Sequence, residues 1–105
     1  MTPETGVKHQ VKDYLRLRGW MVYHNLAGLG CYPGLSDMVA IKDGVVLFIE
    51  CKAGIGRQSD KQRMFQVSLE AHGGRYVLAY GYEDVERYLY EHGLEKEYCK
   101  QEILI

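Results

Sequence analysis

Three cysteines, two prolines and no apolar run longer than five residues are the first things to notice in this 105-residue chain. Cys31, Cys51 and Cys99 are odd in number and unrelated in spacing, which argues against a disulfide framework and for reduced thiols. The longest apolar runs, such as 45–49, fall far short of the length that spans a bilayer. The opening Met1-Thr2-Pro3-Glu4 lacks the basic-then-apolar plan of a signal peptide. Low complexity, internal repeats and linker-like stretches are also missing. With 47% hydrophobic and 26% charged residues the composition is ordinary for a globular protein, which excludes wholesale disorder. The expectation is one cytoplasmic domain over 1–105, with its core over about 2–92 and a C-terminal extension at 93–105.

Charge is unevenly placed. Residues 1–63 hold nine Lys/Arg against six Asp/Glu, for +3, whereas residues 64–105 hold four against eight, for −4. Charge runs usually form solvated helix faces. A basic first half also suits a polyanionic partner.

Thr2-Pro3-Glu4 starts a helix well, with a capping hydroxyl, proline in the first turn and a carboxylate there. Val7, Val11, Tyr14 and Leu15 then make one buried stripe, Lys8, Lys12 and Arg16 occupy another face, and Gly19 ends the helix. A strand comes next, over 20–24. The loop 25–36 has glycines, but their spacing is not that of a P-loop and no Lys-Ser/Thr succeeds them. Strands over 37–42 and 45–52 are joined by Asp43-Gly44, a strong hairpin signal. Ser59-Asp60-Lys61-Gln62 reads as a capping box opening a helix with Phe65, Leu69 and Met64 facing inward. Gly73-Gly74 closes it. A strand over 75–80 and a helix over 82–92, with Val85, Tyr88 and Leu89 on one stripe, complete the order α-β-β-β-α-β-α. That order predicts an α/β fold, a mixed sheet flanked by helices.

The hairpin carries a geometric expectation. A two-residue turn pairs Lys42 with Val45, so Asp37 falls opposite Glu50 and both side chains share a face with Lys52. Facing carboxylates repel unless a proton or cation lies between them. Asp37 and Glu50, with the Cys51 carbonyl as a third ligand, suit a hard divalent cation. Lys52 suits orientation of an attacking water or stabilisation of a transition state. The trio therefore fits metal-assisted phosphodiester cleavage. Alternation turns the Cys51 side chain to the opposite face, as a small core residue.

Asp37 followed by Glu50-Cys51-Lys52 resembles the motif of the PD-(D/E)xK nuclease superfamily, and the wider chain resembles its virus-type replication-repair nuclease (VRR-NUC) branch. Glu4, Gly34-Leu35-Ser36-Asp37 and Gln62 support the resemblance, which covers roughly residues 2–92. Ser36 departs from it, because the family more often has proline there. The resemblance implies a restriction-endonuclease-like fold and a Mg²⁺- or Mn²⁺-dependent endonuclease with Asp37, Glu50 and Lys52 as catalytic residues. It adds Glu4 as a metal ligand and Gln62 at the active site, although helix-dipole complementarity and the capping box also account for those two. It further implies that compact members, often viral, act as homodimers on branched DNA, including four-way junctions.

Lys8, Lys12, Arg16, Arg57, Lys61 and Arg63 are the natural phosphate contacts, with Arg57 and Lys61 preferred because they flank the loop after the catalytic strand. The acidic, tyrosine-rich last helix and Ile103-Leu104-Ile105 are the candidate dimer surface. The alternatives are a flap or linear-DNA nuclease without junction preference, and a non-catalytic DNA-binding or assembly module of the same fold.

Overall fold

The computed structural model describes residues 2–26 and 28–95. Its elements run α1 (Pro3–Leu17), β1 (Met21–His24), β2 (Met38–Lys42), β3 (Val45–Cys51), α2 (Asp60–Ala71), β4 (Arg75–Ala79) and α3 (Tyr82–Glu91), in the order expected. Strand order in the sheet is β1-β2-β3-β4, antiparallel except for the parallel β3–β4 pair. Among the described residues, no helix is long and apolar enough to cross a membrane.

Local chemistry sets each boundary. The Thr2 hydroxyl accepts from the Thr5 N–H at 3.1 Å and Pro3 opens α1, so its first turn is capped. The Asp43-Gly44 turn places both residues at positive φ, 51° and 80°, which matches the right-handed twist of the strands it joins. Lys42 pairs with Val45 as expected, and the register continues to Met38–Ile49. At Ser59 both halves of the capping box are formed: the Gln62 N–H donates to Ser59 Oγ at 3.1 Å, and the Ser59 N–H donates to Gln62 Oε1 at 2.9 Å.

Two layers of side chains cover the sheet. On one face Val7, Val11 and Leu15 of α1 and Val85 and Leu89 of α3 pack against Met38, Ala40, Leu47, Ile49, Cys51, Val77 and Ala79. On the other, α2 sets Phe65 between Phe48 and Tyr76, with ring centroids 5.8 and 6.1 Å away, and Tyr32 closes over it at 5.6 Å. Met64 departs from expectation, being 71% exposed. The inward stripe of α2 is Gln62, Phe65, Gln66 and Leu69, and Met64 lies off it by one residue's rotation. This stripe is half polar, and Gln58 Nε2 bridges Gln66 Oε1 and the Tyr76 hydroxyl at 2.9 and 3.1 Å.

The chain beyond α3 still joins the body. Leu94 packs on the core, and Glu95 accepts from Lys42 Nζ at 3.2 Å. Ile103-Leu104-Ile105, half of the expected dimer surface, lies outside the described residues.

Candidate active site

All the motif residues gather at one end of the sheet, where β2 begins and β3 ends. The backbone there is fixed by Asn25, whose N–H donates to the Asp37 carbonyl at 2.8 Å and whose Nδ2 donates to the Ser36 carbonyl at 3.0 Å. Ser36 is 2% exposed and turns its hydroxyl onto the Met38 carbonyl at 3.3 Å. The serine is thus accommodated in a buried position directly before Asp37. Sequence reasoning misses Asn25. An Asn at the end of a strand before a glycine-bearing loop is its only local signal.

The ladder stops one pair short of the expected Asp37–Glu50 pair. Beyond Met38–Ile49, the Asp37 side chain takes over from the backbone: the Cys51 N–H donates to Asp37 Oδ2 at 2.7 Å. Asp37 is thereby locked to the strand that carries Glu50. Asp37→Ala should lose about 1–3 kcal/mol of stability by orphaning that amide, whereas Asp37→Asn keeps an acceptor and should fold nearly as well. Chemical denaturation of the two variants separates these outcomes.

Glu50 is the unusual group. It is 1% exposed, and Lys52 Nζ and Gln62 Nε2 both lie 3.0 Å from its Oε2. Its Oε1 is buried and has no partner among the described residues. Burial first, and then the negative charge of Asp37, push its carboxyl up to about 6, against the pull of Lys52. Lys52 is held as an ammonium: burial alone would lower its pKa, but bonding to Glu50 outweighs this and raises it. Cys51 turns into the core as expected, and its thiol is pushed up to about 12, mainly by burial. It is no nucleophile at neutral pH.

Two expected residues sit differently from the simplest picture. Lys8 lies 3.4 Å from Asp37 Oδ1 and 3.8 Å from Glu4 Oε2, so its ammonium stands between those carboxylates. Glu4 is 41% exposed and faces Lys8. Among the described residues no three His, Cys, Asp or Glu side chains converge on a common point. The close acidic set is the pair Asp37 and Glu50, with Glu4 joined to Asp37 through Lys8 and near enough that its charge acts on Glu50 and Lys52. Lys12 continues the basic face toward His24, whose pKa is lowered by burial and then by Lys12, Lys8 and Arg16. Arg16 donates to the Val22 carbonyl at 3.1 Å. Arg57 and Lys61 are exposed on the loop after β3 and on the first turn of α2.

One contact holds these parts in place. Gly34, at φ +76°, packs so tightly on α2 that a β-carbon would meet the Lys61 carbonyl oxygen at 2.1 Å. The loop leading to Asp37 is thus pressed onto the turn carrying Gln62. Gly34→Ala combines left-handed strain with a backbone collision, and should cost about 3 kcal/mol or more. A melting curve checks this directly.

No protein-family model and no curated protein matches the sequence. Among solved structures, one described as a VRR_NUC domain superposes with a TM-score of 0.72 at 21% identity, covering 88% of this chain and 98% of that one. The mixed four-stranded sheet and its three helices belong to that architecture, and this chain has the fold of a VRR-NUC domain.

Proposed function

We propose that this chain is a divalent-metal-dependent DNA endonuclease that hydrolyses phosphodiester bonds and prefers branched DNA such as four-way junctions. The observation that carries the reading is Glu50, a carboxylate at 1% exposure with one oxygen unpartnered among the described residues, beside a second carboxylate. Buried charge of this kind is costly unless something offsets it. A binding-only module has no use for such a cost, which favours an enzyme. The likeness to a structure named for a nuclease domain supports the same reading.

The residues present fit Mg²⁺ or Mn²⁺. Asp37, Glu50 and the Cys51 carbonyl would hold it, and a hard cation that keeps several of its waters does not need a third carboxylate. Bound there, the metal would supply an acidified water and positive charge beside the scissile phosphate. Gln62 fixes the Glu50 carboxylate through Oε2. Lys52, 12% exposed and anchored at 3.0 Å, presents a fixed ammonium to the attacking water or to a phosphate oxygen. Lys8 neutralises Asp37 from the other side. Arg57, Lys61 and Lys12 hold flanking phosphates, as cations near a nucleic-acid backbone do.

A four-way junction needs two opposed cuts and the described residues of one chain hold one such site, so the working form is a two-fold homodimer. Tyr82 and Tyr90, 37% and 46% exposed on acidic α3, are material for that contact. The deciding experiment incubates purified protein with labelled four-way, flap, duplex and single-stranded DNA, with and without Mg²⁺ or Mn²⁺, alongside sedimentation. Symmetric junction cuts that need metal support the reading. A monomer that cuts flaps but spares junctions would replace it with a flap nuclease, and a protein that cuts nothing would leave a binding module.

Metal binding is measurable separately. Mg²⁺ or Mn²⁺ should raise the melting temperature by linkage, and Asp37→Asn should remove most of that rise. Calorimetry that finds the same metal affinity in Asp37→Asn and Glu50→Gln as in the parent would discard the site.

A further inference from the structure

Three of the four most exposed large apolar side chains among the described residues stand on the loops that flank the chemistry. Among the described residues, the most exposed large apolar side chains are Leu29, Ile55, Leu17 and Leu26, at 109%, 97%, 88% and 85%. Leu17 ends α1. The other three lie on the two loops that bracket the candidate active site, 25–36 leading into Asp37 and 52–59 leading away from Lys52.

Both loops touch the site. Leu26 and Cys31 line a groove with Asp37, Lys61 and Gln62. Gly54 lines a second groove with Glu4 and Lys8, and Lys8 reaches Asp37 at 3.4 Å. The tips are built alike, Gly28-Leu29-Gly30 and Gly54-Ile55-Gly56, so each apolar side chain stands between neighbours that have none. The Ile55 turn is braced: the Gly56 N–H donates to the Ala53 carbonyl at 2.9 Å, and the Tyr80 hydroxyl donates to the Gly56 carbonyl at 2.7 Å. Ile55 is held out in water by a fixed turn.

An occupant of this end must offer negative charge to Arg57 and Lys61 and apolar surface to the two tips. Stacked duplex offers the first but buries its base faces. A branch, nick or flap exposes both, and Leu and Ile are among the side chains that proteins press between base steps. We propose that Leu29 and Ile55 are wedge residues that bear on base faces exposed at a discontinuity in the duplex, with Arg57 and Lys61 gripping the phosphates on either side. This rests on the nucleic-acid reading of the site, and it gives that reading a structural basis for preferring branched over continuous DNA.

The test is binding without cleavage, in chelator, with the full chain. Leu29→Ser/Ile55→Ser is compared with the parent on a four-way junction, a flap and an uninterrupted duplex, each with 2-aminopurine at the branch or the matching position. Because both side chains are exposed, the variant should melt within a few degrees of the parent. Junction and flap affinity should fall about tenfold, duplex affinity should stay within about twofold, and the fluorescence rise on unstacking at the branch should vanish. Equal loss on all three DNAs, or no loss on the branched ones, overturns the wedge. So does a change in sedimentation with DNA discrimination intact, which would assign the tips to self-contact. Metal-dependent cleavage by the parent protein is scored separately, so a wedge that fails in an active nuclease is distinguished from a protein that is no nuclease.

Discussion

Glu50→Gln should abolish hydrolysis, by about a thousandfold or more, and should also flatten the pH dependence of stability in the metal-free protein. Both effects have one cause. Burial, reinforced by Asp37, raises the Glu50 carboxyl from its ordinary 4.5 to about 6. A group whose folded pKa is raised stabilises the fold fully below its unfolded value and loses that contribution as pH climbs through the folded value. Wild-type stability should therefore decline between about pH 4.5 and 6, by roughly 2 kcal/mol on the scale of 1.36 kcal/mol per pKa unit. Glutamine carries no such charge, so that decline should be absent from the variant. Mg²⁺ at neutral pH should recover the lost stability in the wild type but not in Glu50→Gln. Urea titrations at pH 4.5, 6 and 7.5 measure all of this. An unchanged slope in the variant would mean that another group titrates there.

Lys52→Ala is expected to fold, to bind DNA and metal, and to lose cleavage by two to four orders of magnitude, about the range for a positioned proton-transfer or charge-stabilising group. The side chain reaches the site from the end of β3 and is not part of the core packing, so the fold should tolerate its loss. Glu50, however, loses the ammonium bonded to it. The pull that held its pKa down disappears, and the acid limb of the activity profile should move to higher pH. Single-turnover rates across pH, measured beside DNA affinity, distinguish this from a binding defect. A rate close to wild type would pass the role of Lys52 to another group.

Much of this arrangement is legible in the chain. Asp43-Gly44 specifies the turn, the turn specifies the register, and the register puts Glu50 and Lys52 on one face, where they meet at 3.0 Å. Ser59 and Gln62 announce the start of α2 for equally local reasons. What escapes depends on segments far apart in sequence. Nothing near Lys8 shows that α1 delivers its ammonium to Asp37, and nothing near Gly34 shows that the Lys61 backbone lies against it. The last step of the ladder is also unreadable, since Asp37 replaces a backbone partner with its own carboxylate. Met64 reads as inward because apolar residues usually are, but the stripe of α2 that meets the sheet carries glutamines.

Those glutamines restrict which sequences this fold can accept. Gln62 uses both ends of one amide: Oε1 receives the Ser59 N–H, and Nε2 donates to Glu50. Glutamate there would still cap the helix but would set a like charge against Glu50. Asparagine is one methylene too short to serve both partners, and leucine would serve neither. Position 62 thus answers to two partners at once, the amide that opens α2 and the carboxylate that ends β3, and a change that suits one of them disturbs the other.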